Sequence, residues 1–124
     1  MKIIENLTNV FENPLVNITF LCGFLFIIAG YILLKFPPKN INSLYGYRTS
    51  SSMENQEKWD FAQNYSSKEM IKMGGFLLLS ILLHFLNDFD NLTNMNIGLA
   101  LLILSVIILF LRVEKAIKIK FKGK

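Results

Sequence analysis

The side chains with the most chemistry in this sequence gather between residues 37 and 69. Tyr45, Tyr47, Trp59, Phe61 and Tyr65 stand there, with Arg48 as the cation of the Tyr45 to Ser52 cluster. A guanidinium in such company can stack on Trp59 or Tyr47, or fork onto a carboxylate, a headgroup phosphate or a helix C-terminus. An interfacial arginine that snorkels and anchors its loop fits the same spacing. Farther along, His84 precedes Asn87 and Asp88 by three and four residues in an apolar run. An ionisable side chain there is a candidate for proton or metal chemistry. A lone imidazole is a poor metal site, so an interfacial histidine bonded to Asn87 or Asp88 is the expectation. Asp88 and Asp90 offer too few ligands for a cation and read as a solvated turn. Cys22 has no second cysteine to pair with and sits in an apolar run, where a thiol behaves as a small hydrophobe. Glu54 and Glu57 read as charge at a helix N-terminus. The chain lacks G-x-S-x-G, H-E-x-x-H, phosphate-loop and G-x-G-x-x-G patterns. Neither catalysis, a cofactor nor a metal is expected.

The elements that must position these residues follow from where charge is missing. The chain has 124 residues, 52% of them hydrophobic, and its 13 basic and 9 acidic side chains are segregated rather than interleaved. Residues 13–34, 73–87 and 91–111 carry no charge at all. Runs of that length and composition are membrane spans, and the mean hydropathy of +0.42 agrees. The expected fold is a single all-α integral membrane domain with three transmembrane helices, over residues 14–36, 67–87 and 95–113. At helical rise, 21 residues cover roughly 31 Å, one hydrocarbon core. Asn13-Pro14 reads as a cap followed by proline at the first helical position. Pro37-Pro38 ends that span, which reads as a retained helix rather than a cleaved signal. Residues 1–13 carry an apolar stripe at positions 3, 4, 7, 10 and 11, which suits a helix in the membrane interface or one packed on the bundle. Thr19, Gly23 and Gly30 form one small face, and Gly98 and Ser105 another, both suited to close helix packing or to self-association into a homo-oligomer.

Within the loop over residues 37–66, Asn42 to Gly46 reads as a turn. Ser51 and Glu54 match a capping box, which predicts a short helix from about 52 to 65. Ser52, Asn55, Trp59 and Ala62 would share one face of it, free to rest at the interface. Ser66 and Glu69 match a second capping box at the start of the next span. The loop between the first two spans carries Lys35, Lys39, Arg48, Lys58, Lys68 and Lys72. The tail over residues 114–124, with Arg112 before it, carries six more basic residues, whereas residues 87–94 carry none. The positive-inside rule then sets the first loop and the tail in the cytoplasm and the N-terminus outside. A net charge of +4 so placed fits anionic lipid headgroups at the basic tail and not nucleic acid.

Tyr45-Gly46-Tyr47-Arg48-Thr49, followed by Ser52, Asn55, Trp59 and Ala62, resembles the signature of the SdpI-like membrane proteins. Pro38, Asn40 and Asn42 ahead of it and Gly74-Gly75 behind it fit as well. Relatives often have proline where this chain has Ser50, and Ala-Asn where it has Ala62-Gln63. The family includes the immunity protein for the sporulation-delaying-protein toxin of Gram-positive bacteria and many small relatives. The resemblance implies a bacterial cell-membrane protein that protects its cell from a peptide toxin by binding it in the bilayer. It also implies an alternative, a signalling adaptor that draws a cytosolic transcriptional repressor to the membrane. A structural or transporter-associated bundle is a third reading. The motif residues, with His84 as an intramembrane polar candidate, are the expected site.

Overall fold

A computed structural model describes residues 2–123. Met1, at the head of the expected interfacial segment, and Lys124, at the end of the basic tail, lie outside the described residues. Four helices follow in order: α1 (Lys2–Glu12), α2 (Pro14–Lys35), α3 (Gln56–Leu79) and α4 (Asn91–Lys120), with a 3-10 segment, Ser80–Leu86, continuing α3. The described residues contain no strand. Three helices, α2, α3 with its 3-10 extension, and α4, are long and apolar enough to cross a membrane. The all-α, three-span class expected from the charge-free windows is what the chain folds into, a multi-pass membrane protein.

The helix ends follow side-chain chemistry. Asn13 caps α2 by accepting from the Leu15 N–H at 2.9 Å, and Pro14 takes the first helical position. Asp90 caps α4 through the Thr93 N–H at 2.9 Å. Asn55 caps α3 through the Lys58 N–H at 2.9 Å. This last cap corrects two expectations. The short helix over 52–65 and the span from 67 are one continuous helix that starts at Gln56. Neither capping box forms, because its members have other partners. Ser51 turns to Glu114 on α4, and Glu54 pairs with Lys58. Ser66 and Ser67 donate back to the Gln63 and Asn64 carbonyls inside the helix, and Glu69 binds Arg112. α4 likewise runs to Lys120, so much of the expected tail is helical.

The small faces bring the helices together. A Cβ on Gly74 would stand 2.6 Å from the Gly23 carbonyl oxygen, and one on Gly23 would stand 2.8 Å from that of Gly74. Only paired glycines let the α2 and α3 backbones approach so closely. Gly98 packs against the Ile18 side chain, which a Cβ there would meet at 3.2 Å, and Ser105 is buried. Both small faces therefore pack within the chain, so a second copy would have to use another surface. α1 has no buried residue; Ile3, Ile4 and Leu7 lie uncovered, and the Phe11 ring meets Phe20 edge-on at 5.2 Å. Its apolar stripe is thus mostly uncovered, with the Phe11 ring as its aromatic contact on the bundle.

Candidate functional site at the basic end of the bundle

The residues between α2 and α3 form an ordered cap on the end of the bundle where α2 stops and α4 finishes. Trp59 on α3 is wholly buried, and its Nε1 donates to the Pro38 carbonyl at 2.8 Å. That bond ties the proline stop of α2 to the first turn of α3. Gln63, one helical turn on, grips the loop at two points. Its Oε1 accepts from the Tyr47 N–H at 2.6 Å, and its Nε2 donates to the Tyr47 carbonyl at 2.8 Å. A side-chain amide here completes the hydrogen bonding of a buried peptide, as a neighbouring strand would. Gly46 makes the approach possible. Its φ is +112°, and a Cβ there would meet Gln63 Oε1 at 2.5 Å and Pro38 Cγ at 2.9 Å.

Short-range bonds shape the remainder. Asn42 Oδ1 accepts from the Leu44 and Tyr45 N–H groups at 2.9 and 2.8 Å, and its Nδ2 donates to the Asn40 carbonyl. The Tyr45 hydroxyl donates to the Phe36 carbonyl at 2.8 Å, folding the loop back on the end of α2. Buried Ser52 accepts from the Thr49 N–H at 2.8 Å and reaches the Tyr47 carbonyl at 3.1 Å. Thr49 Oγ1 accepts in turn from the Ser52 N–H.

The loop is then locked to α4. The Tyr47 hydroxyl donates to Glu114 Oε1 at 2.9 Å, and Ser51 donates to Glu114 Oε2. Burial holds the Tyr47 phenol well above the usual tyrosine range, and the hydrogen bond and negative charge of Glu114 push it the same way. Beneath this, Tyr47, Ala62, Leu109, Val113, Ile117 and Phe121 form one apolar cluster shared by the loop, α3 and α4. A second polar tie joins α3 to α4: Arg112 Nε donates to Glu69 Oε2 at 2.6 Å and Nη2 to Oε1 at 3.2 Å. Lys72 stands 3.2 Å from Oε1. A carboxylate buried as fully as Glu69 is costly to leave unpaired, which makes this fork a structural constraint.

Most of the predicted site residues are brought together here, but in roles other than those expected. Trp59 and Tyr47 are buried supports, not an aromatic surface for the interface. Ser52 and Asn55 precede α3 instead of sharing its face with Trp59 and Ala62. Arg48 stacks on neither aromatic; its Nη1 donates to the Ser43 carbonyl, and its side chain lies exposed on the loop. His84 lies apart, in the 3-10 segment at the opposite end, with its ring edge-on to Phe85 at 4.9 Å. Asn87 donates to the Leu83 carbonyl rather than to His84. Glu69, Arg112 and Glu114 escaped the sequence reading because their partners lie 43 to 67 residues away. Gln63 carried a signal, as an amide where relatives often have Ala-Asn.

Between α2 and α4, below the loop, lies a cleft of ≈ 360 Å³. Ala29, Leu33, Met70 and Phe110 give it apolar walls, and Tyr45 to Arg48 complete its lining.

Residues 39–113 match the model of the SdpI/YfhL protein family. The "Uncharacterized protein YfhL" of Bacillus subtilis (strain 168) is 43% identical over 97 residues, covering 78% of this chain and 83% of that protein. No solved structure matches the chain.

Proposed function

The chain belongs to the SdpI/YfhL protein family, and from that premise we propose that it is an immunity or resistance protein that shields its cell from a membrane-active antimicrobial peptide or toxin. It acts by binding the peptide within the bilayer, not by catalysis. The observation that carries the reading is the convergence of Pro38, Tyr45 to Thr49, Ser52, Trp59 and Gln63 on one rigid cap. A loop that only joined two spans would need none of these bonds, whereas a binding surface needs side chains held in one geometry. Arg48 is the exposed cation of that surface.

The bundle sits in the cell membrane with the cap and the end of α4 in the cytoplasm and α1 outside, as the basic residues at that end favour. The cap and the last turns of α4 form one continuous surface through the Tyr47–Glu114 bond and the contact of Phe61 with Phe121. That continuity favours, as a second reading, an adaptor that holds a cytosolic repressor. The test is survival of a sensitive host challenged with a membrane-active antimicrobial peptide. Expression of the chain protects, and Arg48→Ala abolishes protection while the protein still accumulates. Full protection by Arg48→Ala would remove the cap from the mechanism. A cytosolic protein that co-purifies only in the presence of the peptide would favour the adaptor.

A further inference from the structure

The cleft beneath the cap joins an apolar interior to a cation with no counter-ion. Its apolar walls are formed by Ala29 and Leu33 of α2, Met70 of α3 and Phe110 of α4. Three of these, Ala29, Leu33 and Phe110, belong to the last turns of the charge-free windows over 13–34 and 91–111, and Met70 lies just before the window over 73–87. The cleft therefore sits where hydrocarbon gives way to headgroups. Arg48, exposed on the loop beyond the end of α2, also lines it.

The carboxylates that are ion-paired or bonded to the cap go to groups other than Arg48. Glu69 receives Arg112 and Lys72, and Glu114 receives Tyr47 and Ser51. Glu54 pairs with Lys58. Among the described residues Arg48 makes no salt bridge; its hydrogen bond goes to a neutral carbonyl, that of Ser43. A guanidinium so placed retains donors for an anion, and phosphate is its best geometric match. Tyr45 stands beside it, about half-exposed, as an amphipathic ring does at headgroup depth.

We propose that this cleft is a binding site for one anionic phospholipid of the surrounding bilayer. The headgroup phosphate docks on Arg48, and the start of an acyl chain lies along Ala29, Leu33, Met70 and Phe110. The charge selects the lipid and the apolar floor holds it. This site is distinct from general attraction of the basic tail to the membrane, because it depends on one arginine and on shape. It does not rest on the immunity reading: a protein with no protective activity would still retain the lipid.

Native mass spectrometry of the purified full chain, released from detergent with equal amounts of phosphatidylglycerol and phosphatidylcholine, tests it. The unaltered chain retains one phosphatidylglycerol with about tenfold preference, the scale of one charge-assisted contact. Arg48→Ala removes the preference. Arg48→Lys, which keeps the charge but not the fork, retains part of it, and Ala29→Phe, which adds bulk to the apolar lining, lowers retention of both lipids. Lys115→Ala, an exposed charge on α4, changes nothing. Equal retention of the two lipids by the unaltered chain would overturn the proposal. A loss in Lys115→Ala equal to that in Arg48→Ala would assign the effect to surface charge at large. Displacement of the lipid by millimolar inorganic phosphate would show that the apolar floor contributes nothing, and a dimer that competes with lipid would assign the cleft to a second copy.

Discussion

Tyr47 carries more of the cap than any other single residue. Its backbone is held by Gln63, its hydroxyl by Glu114, and its ring lies 5.5 Å from that of Phe110. Its phenol must keep its proton to donate, and burial beside a carboxylate ensures that it does. A tyrosine whose folded value is raised contributes stability that is complete below the ordinary value of about 10 and is lost as pH climbs past it. The Tyr47–Glu114 bond is therefore intact across the neutral range and fails only in strong alkali. Absorbance at 295 nm during alkaline titration should show a component that ionises late, and Tyr47→Phe should remove it. Persistence of the late component in Tyr47→Phe would assign it to another tyrosine. The same substitution leaves Glu114 with Ser51 and should destabilise the protein by about 1.5–3 kcal/mol, as expected for a hydrogen bond to a charged group. Tyr47 and Arg48 were legible as site residues from the motif. Their division of labour was not: adjacent in sequence, one is buried and bonded to α4 and the other is exposed on the loop beside a cleft.

At the scale of elements, the contact between α2 and α3 depends on which of two neighbouring glycines faces inward. Gly74 meets the Gly23 carbonyl and Ile27, whereas a Cβ on Gly75 would meet nothing within 4 Å. Gly74→Ala should push the helices apart and cost about 1–3 kcal/mol, the usual penalty of overpacking. Gly75→Ala should be neutral or gain up to about 1 kcal/mol, because alanine is the better helix former. Unfolding in mixed detergent, followed by fluorescence of Trp59, checks both, and equal effects would mean that this interface is looser than the geometry requires. The small residues at 19, 23 and 30 announced a packing face from the sequence. Their partner did not appear there, since a glycine pair reads alike whether it meets α3 or a second copy. Local pattern also misplaced the start of α3. Ser51, Glu54, Ser66 and Glu69 have capping-box spacing, but bonds to Glu114, to Lys58, to carbonyls of their own helix and to Arg112 outcompeted the cap.

For the molecule as a whole, the arrangement of charge makes one end basic and the other acidic or neutral. α2 and α4 finish at the basic end, and the turn carrying Asp88 and Asp90 lies at the other. Cysteine placed singly at exposed Ser50 or exposed Asp88, with Cys22 changed to serine, should react differently with a membrane-impermeant maleimide in intact cells. Labelling at 88 and not at 50 is expected if the basic end is cytoplasmic; the reverse pattern would invert the topology. Three spans and the family were determined by the sequence alone. Hydrocarbon excludes charge over a fixed thickness, and that exclusion is written in consecutive residues. The motif, too, lies within one stretch of chain. Only the tertiary structure decided how the motif is held. The clamp of Gln63 on Tyr47, the closure of Glu114 over the loop, the fork between Glu69 and Arg112, and the cleft below Arg48 all join side chains far apart in the chain. Such contacts are fixed by helix register and the few ångströms between glycine faces, and no local periodicity encodes them.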